Sequence, residues 1–164
     1  MSIRQELHSF KYYGWHKGFY NDEDSSESLS SIRYSDFFVE PDDDEFPYDT
    51  ADSLLSGSCH HFALSLKKLL KYNTYIIEGN NKKSFHVFCQ IYTNKKWYYV
   101  DARGITSSFD EFIDGLKKFV SDEYTIRSVS DDDIRELAAD SNYNNEAYEF
   151  AEAVIKKFEE YYTL

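Results

Sequence analysis

A chain of 164 residues has the length for one domain, residues 1–164, and for a buried core that needs no covalent staples. Its net charge of −12 argues against general nucleic-acid binding, which requires a basic face for the phosphates. No apolar run reaches bilayer-spanning length, so a membrane partner is not expected. Two cysteines behind an N-terminus with no signal-peptide pattern do not read as a disulfide framework, and a reducing, cytoplasmic setting is the expectation.

The charge is unevenly spread. Residues 21–52 carry twelve acids against one base, Arg33, and residues 131–164 carry ten against three. The stretch 53–130 holds eleven bases and seven acids, so a basic middle lies between acidic flanks. Such flanks attract a positively charged protein partner. With 15 Tyr and 13 Phe, the core is expected to be aromatic.

In chain order, Ile3, Leu7, Phe10 and Tyr13 suggest a short helix, followed by an irregular aromatic segment through Trp15. Residues 21–31, acidic and serine-rich, read as a loop. Residues 34–40 form a short apolar patch, and the run PDDDEFP at 41–47 a charged loop. Residues 59–72 place apolar side chains at 59, 62, 63, 66, 69 and 70, a helical stripe that Asn73 is suited to end. Strands are expected at 74–77, 84–92 and 96–101. Ser108 and Glu111 form a capping box for a helix carrying Phe109, Phe112, Ile113, Leu116, Phe119 and Val120. A strand at 124–129 follows. Ser130 then caps a helix whose first turn is Asp131, Asp132 and Asp133. The last helix, from about residue 145, turns Ala147, Phe150, Ala151, Val154, Ile155 and Phe158 inward. The pattern is α+β, a small antiparallel sheet packed by helices. An acidic extension (1–52) precedes a core (53–104), and helices with one strand (105–164) follow it.

Cys59 stands where the first long helix begins, just after Gly57 and Ser58. Unpaired N–H groups and the dipole at a helix N-terminus stabilise a thiolate, and can also hold an oxyanion. A two-residue loop at Thr93 and Asn94 would set Tyr92 opposite Lys95, Gln90 opposite Trp97 and His86 opposite Asp101. His86 and Asp101 would then share a face at hydrogen-bonding distance, the arrangement that orients a catalytic imidazole. A one-residue slip would separate them. Cys89 falls on the opposite face from His86 and reads as core. His60 and His61 invite a zinc reading, but adjacent helical positions diverge by about 100° and do not share a tetrahedral metal. One of them is expected at the surface and the other on the cleft. No metal or cofactor is expected.

Three blocks, Gly57-Ser58-Cys59 leading into a helix, His86-Val87-Phe88, and Trp97-Tyr98-Tyr99-Val100-Asp101, together resemble the transglutaminase-like core of the papain-like cysteine enzyme superfamily. The resemblance implies a nucleophile at Cys59, a general acid/base at His86 and an orienting carboxylate at Asp101. The short interval between Cys59 and His86 implies fewer intervening strands than many members have. Trp15, Gln5 and residues 34–38 are upstream candidates for a second oxyanion donor, with ordinary packing as the competing reading. The function implied is acyl transfer from a protein or peptide carbonyl, with hydrolysis or deamidation favoured over cross-linking. The alternative is a non-enzymatic acidic binder, a polyanion mimic of the kind some phage inhibitors use, with the fold as scaffold.

Overall fold

A computed structural model describes residues 15–19, 28–80, 85–116, 120, 123–139 and 143–164. The expected helix near Leu7, the loop at 21–27 and the candidate Gln5 lie outside them. Six strands form one antiparallel sheet: β1 (Trp15–Gly18), β2 (Asn73–Gly79), β3 (Phe85–Thr93), β4 (Lys96–Asp101), β5 (Gly104–Thr106) and β6 (Tyr124–Ser128). Their spatial order is β1-β5-β4-β3-β2-β6. Four helices of the described residues pack on it: α1 (Cys59–Leu70), α2 (Phe109–Asp114), α3 (Asp131–Ala138) and α4 (Asn144–Lys157). The fold is α+β. No helix among the described residues is long and apolar enough to cross a membrane.

The alternation of side chains along each strand divides the interior into two cores. Ile76, Val87, Cys89, Tyr98 and Val100 point to the side where α1 lies on β3, and α3 and α4 pack against α1. Ile77 and Phe88 point to the other side, where Phe112 and Leu116 cover them. Helix α4 buries Ala147, Phe150, Ala151, Val154 and Ile155 against that first core. As expected, Ser108 and Ser130 cap their helices, accepting from the N–H of Glu111 at 3.3 Å and of Asp133 at 3.1 Å.

Several local expectations are corrected. Helix α1 stops at Leu70 because Lys71, not Asn73, takes the left-handed conformation at φ 64°. Asn73 already belongs to β2, paired with Gln90. The segment through Trp15 is a strand, and β5 is a further strand with no periodic signal of its own. These two pair because their backbones nearly touch: a Cβ on Gly104 would lie 2.3 Å from the Lys17 carbonyl oxygen and 2.4 Å from the Gly18 Cα. Only glycine permits that approach, and Gly104 also sits at φ +135°. Helix α2 ends at Asp114, with Gly115 as its C-cap, although Leu116 and Val120 beyond it are buried as the stripe suggested.

The hairpin register is also corrected. Thr93 pairs with Lys96 and Tyr92 with Trp97, so the turn is Asn94-Lys95 rather than Thr93-Asn94. Both turn residues have positive φ, 53° and 65°, as a type I′ turn requires, and its twist matches the flanking strands. Asn tolerates that conformation, whereas a β-branched Thr does not. Lys95 carries a Cβ in the left-handed region, so Lys95→Gly is expected to raise stability by about 0.5–1 kcal/mol, read from urea midpoints.

Candidate active site

Moving the turn by one residue shifts the pairing by two, so His86 and Asp101 are not directly opposed. An even shift preserves the face, and the two side chains meet on the diagonal. His86 Nε2 lies 3.0 Å from Asp101 Oδ2. With Nε2 engaged there, Nδ1 is the ring nitrogen left for another partner. Cys59 stands close enough for its sulfur and the His86 ring to influence one another electrostatically, and the sulfur accepts a hydrogen bond from the Val87 N–H at 3.5 Å. Cys59, His86 and Asp101 are 6%, 1% and 3% exposed, so their charges interact with little screening.

The local sequence explains the sulfur's position. Gly57, at φ +108°, turns the chain into α1, and the Ser58 N–H is satisfied by the Ser53 carbonyl at 2.8 Å. No side chain caps α1 and no acid lies in its first turn. The thiol is therefore the group placed to use the positive end of this helix. Burial alone would push the thiol up, but hydrogen bonds from His60 and His86, the charge of His86 and the Val87 N–H outweigh it and bring Cys59 down to about 6. Burial likewise opposes the charged form of His86. The bond to Asp101 and the contact with Cys59 prevail, raising it to about 9. Between those values the favoured state of the pair is thiolate and imidazolium.

Arg103, which the sequence reading did not single out, holds Asp101 in place. Its backbone N–H donates to Oδ1 at 2.9 Å, its Nε to Oδ1 at 3.1 Å and its Nη2 to Oδ2 at 2.8 Å. Burial would favour protonated Asp101, but the Arg103 guanidinium and the His86 bond hold the carboxyl well below the usual carboxylate range. A buried Asp at the end of a strand requires a countercharge, a requirement that becomes visible only once the burial of Asp101 is known.

His60 and His61 are both buried, against the expectation that one would be exposed. Tyr148 packs on the His61 ring at 4.6 Å, and Tyr48 lies at 6.5 Å, so the first turn of α1 is roofed by distant parts of the chain. His61 Nε2 is 2.7 Å from Asn144 Oδ1, and burial pulls the ring down to about 4, so it is neutral near pH 7. Among the described residues, no group of three or more His, Cys, Asp or Glu is placed to hold a metal ion.

Cys89 lies in the core facing α1, donating to the Ala63 carbonyl at 3.4 Å, and burial pushes its thiol far up. Trp15 stacks on Arg103 at 5.0 Å, and Tyr34 and Phe37 pack on Phe150 of α4. A groove of about 650 Å³ lies farther down α1, beside α3 and α4, lined by Lys67, Lys68, Lys71 and Arg135. Ion pairs of Lys67 with Asp131 and Lys68 with Glu152, each 2.5 Å, offset half of its positive charge.

Comparison with protein-family models, with curated proteins and with solved structures finds no match for the chain. The functional reading rests on this geometry and its chemistry.

Proposed function

We propose that the chain is a cysteine-dependent acyl-transfer enzyme acting on a protein or peptide carbonyl, with a core of the transglutaminase-like, papain-like kind. The observation that carries this reading is the position of His86, held to Asp101 through Nε2 at 3.0 Å while its charge and that of the Cys59 sulfur act on one another. In the first half-reaction the Cys59 thiolate forms a C–S bond to the carbonyl carbon, and the oxygen takes the electron pair. The His86 imidazolium gives its proton to the departing nitrogen, which leaves as ammonia or an amine. A thioester remains. In the second half-reaction neutral His86 takes a proton from water, the hydroxide adds to the thioester, and collapse restores the thiolate and releases the carboxylic acid, which gives its proton to solvent. Hydrolysis is favoured over amine transfer because water needs no second-substrate site.

Charge complementarity supports a basic region on the substrate. Asp42, Asp44 and Glu45 are exposed in a loop tied to α4 by the bond between the Tyr143 hydroxyl and Asp43. The same surface is what favours the second reading, an acidic binder with no chemistry at Cys59.

The test is the reactivity of Cys59 toward a small aromatic disulfide. At about pH 5.5 the folded protein should react about 20-fold faster than the urea-unfolded chain, the gain in thiolate outweighing its lower intrinsic nucleophilicity. Cys59→Ala should remove the fast phase. Reversal of Asp42, Asp44 and Glu45 to Lys should leave it intact. A folded rate no higher than the unfolded rate would sink the enzyme reading and leave the binder.

A further inference from the structure

We infer that Arg103 is a positioning residue of this site, cancelling the charge of Asp101 so that the positive charge of His86 is left for the Cys59 sulfur. The inference rests on the thiolate–imidazolium reading above and adds to it the residue that makes such a pair sustainable in a buried place.

The seat of the guanidinium is built for it. Besides its bonds to both oxygens of Asp101, Nη2 donates to the Phe112 carbonyl at 3.1 Å, one of the oxygens left open near the end of α2. The guanidinium carbon stands 5.0 Å from the Trp15 ring centroid and 5.2 Å from that of Phe112, which places the group between two aromatic faces. Gly115 leaves the remaining space, since a Cβ there would lie 2.2 Å from Arg103 Nη1. The close approach at Gly18 and Gly104 brings β1, and with it Trp15, to that position. Elements far apart in the chain thus converge on one side chain. Asp101 Oδ2 is shared between Arg103 Nη2 at 2.8 Å and His86 Nε2 at 3.0 Å.

The charge count gives this arrangement a purpose. With thiolate, imidazolium, carboxylate and guanidinium the buried cluster is neutral. Without the guanidinium the same protonation state leaves one uncompensated negative charge out of water, and the least costly correction is to return a proton to the sulfur. Other titratable groups near the cluster do not supply the missing charge. Tyr162 and Cys89, which sense Asp101, are kept protonated by burial.

The test is a titration of Cys59 by the ultraviolet absorbance of its thiolate, with the Cys59→Ala protein as blank. Wild type, Arg103→Met and Gly115→Ala are compared. The methionine variant removes the charge, and the alanine variant displaces the guanidinium while keeping it. Circular dichroism verifies that each protein is folded. In both variants the midpoint should rise by about one pH unit or more, equivalent to about tenfold less thiolate on the acid side. Arg103→Lys should restore part of the shift, because it returns the charge without the two-pronged fork. Should Arg103→Met not fold, Gly115→Ala gives the same reading. A low wild-type midpoint left unchanged in the folded variants would overturn the role of Arg103 alone. A wild-type midpoint near that of an ordinary thiol would overturn the parent reading, and this inference with it.

Discussion

Asp101→Asn is expected to lower turnover by roughly three to four orders of magnitude and, separately, to destabilise the fold by about 3–5 kcal/mol. Two consequences of one lost charge produce the two effects. Arg103, whose side chain is 13% exposed, would keep its guanidinium between Trp15 and Phe112 with no carboxylate to receive it. Breaking a buried pair on one side leaves the other charge stranded, which costs far more than an exposed pair is worth. His86 would lose the largest of the influences that raise it, the Asp101 bond, and burial would then favour the neutral ring. A neutral ring has no proton for the departing nitrogen, so the deficit should fall on formation of the thioester rather than on its hydrolysis. Single-turnover acylation rates and urea unfolding curves measure the two effects independently. The double variant Asp101→Asn with His86→Ala should be hardly slower than His86→Ala alone, since the carboxylate acts through the ring. Multiplying losses would mean that Asp101 does something else.

The legible parts of this protein are those with local physical causes. The stripe from Cys59 to Leu70 repeats at helical spacing, and Ser108 and Ser130 announce their helices because a hydroxyl at that position satisfies an open N–H. The common face of His86 and Asp101 survived a wrong turn assignment because side chains alternate with a period of two, and the error moved the register by two. What was missed depends on contacts between distant segments. Strands β1 and β5 are four and three residues long, too short for any period, and pair through the closeness that Gly18 and Gly104 permit. Burial of His61 comes from Tyr48, Tyr148 and Asn144, none of which is near it in the chain. Arg103 follows Asp101 by two residues in a bend, without a motif to mark it, and its importance emerges only once Asp101 is known to be buried.

The pH dependence of activity and that of stability should have different shapes, and the contrast tests the ion pair directly. For kcat/KM a bell is expected, with limbs near 6 and 9, the values toward which Cys59 falls and His86 rises. Below the first limb the sulfur is reprotonated; above the second the ring has no proton to give. Stability follows protons released or bound on folding, not charges. The lowered thiol alone would contribute stability present above its ordinary value and lost as pH falls through about 6. The raised imidazole alone would contribute stability present below its ordinary value and lost as pH rises through about 9. Over that interval the folded pair holds one proton on His86, while the unfolded pair, above the ordinary imidazole value, holds one on the sulfur. The two slopes cancel, and urea midpoints should be nearly flat across the plateau of the activity bell. The acid side differs: Asp101 is held below its ordinary range, so its contribution is full above about pH 4 and is lost as pH falls further. Cys59→Ser removes one slope of the cancelling pair, and its stability should then decline as pH rises from the ordinary imidazole value, where the wild type stays level. If the wild type itself declines across that interval, His86 carries its charge beside a neutral thiol. The thiolate on which the whole mechanism depends would then not be there.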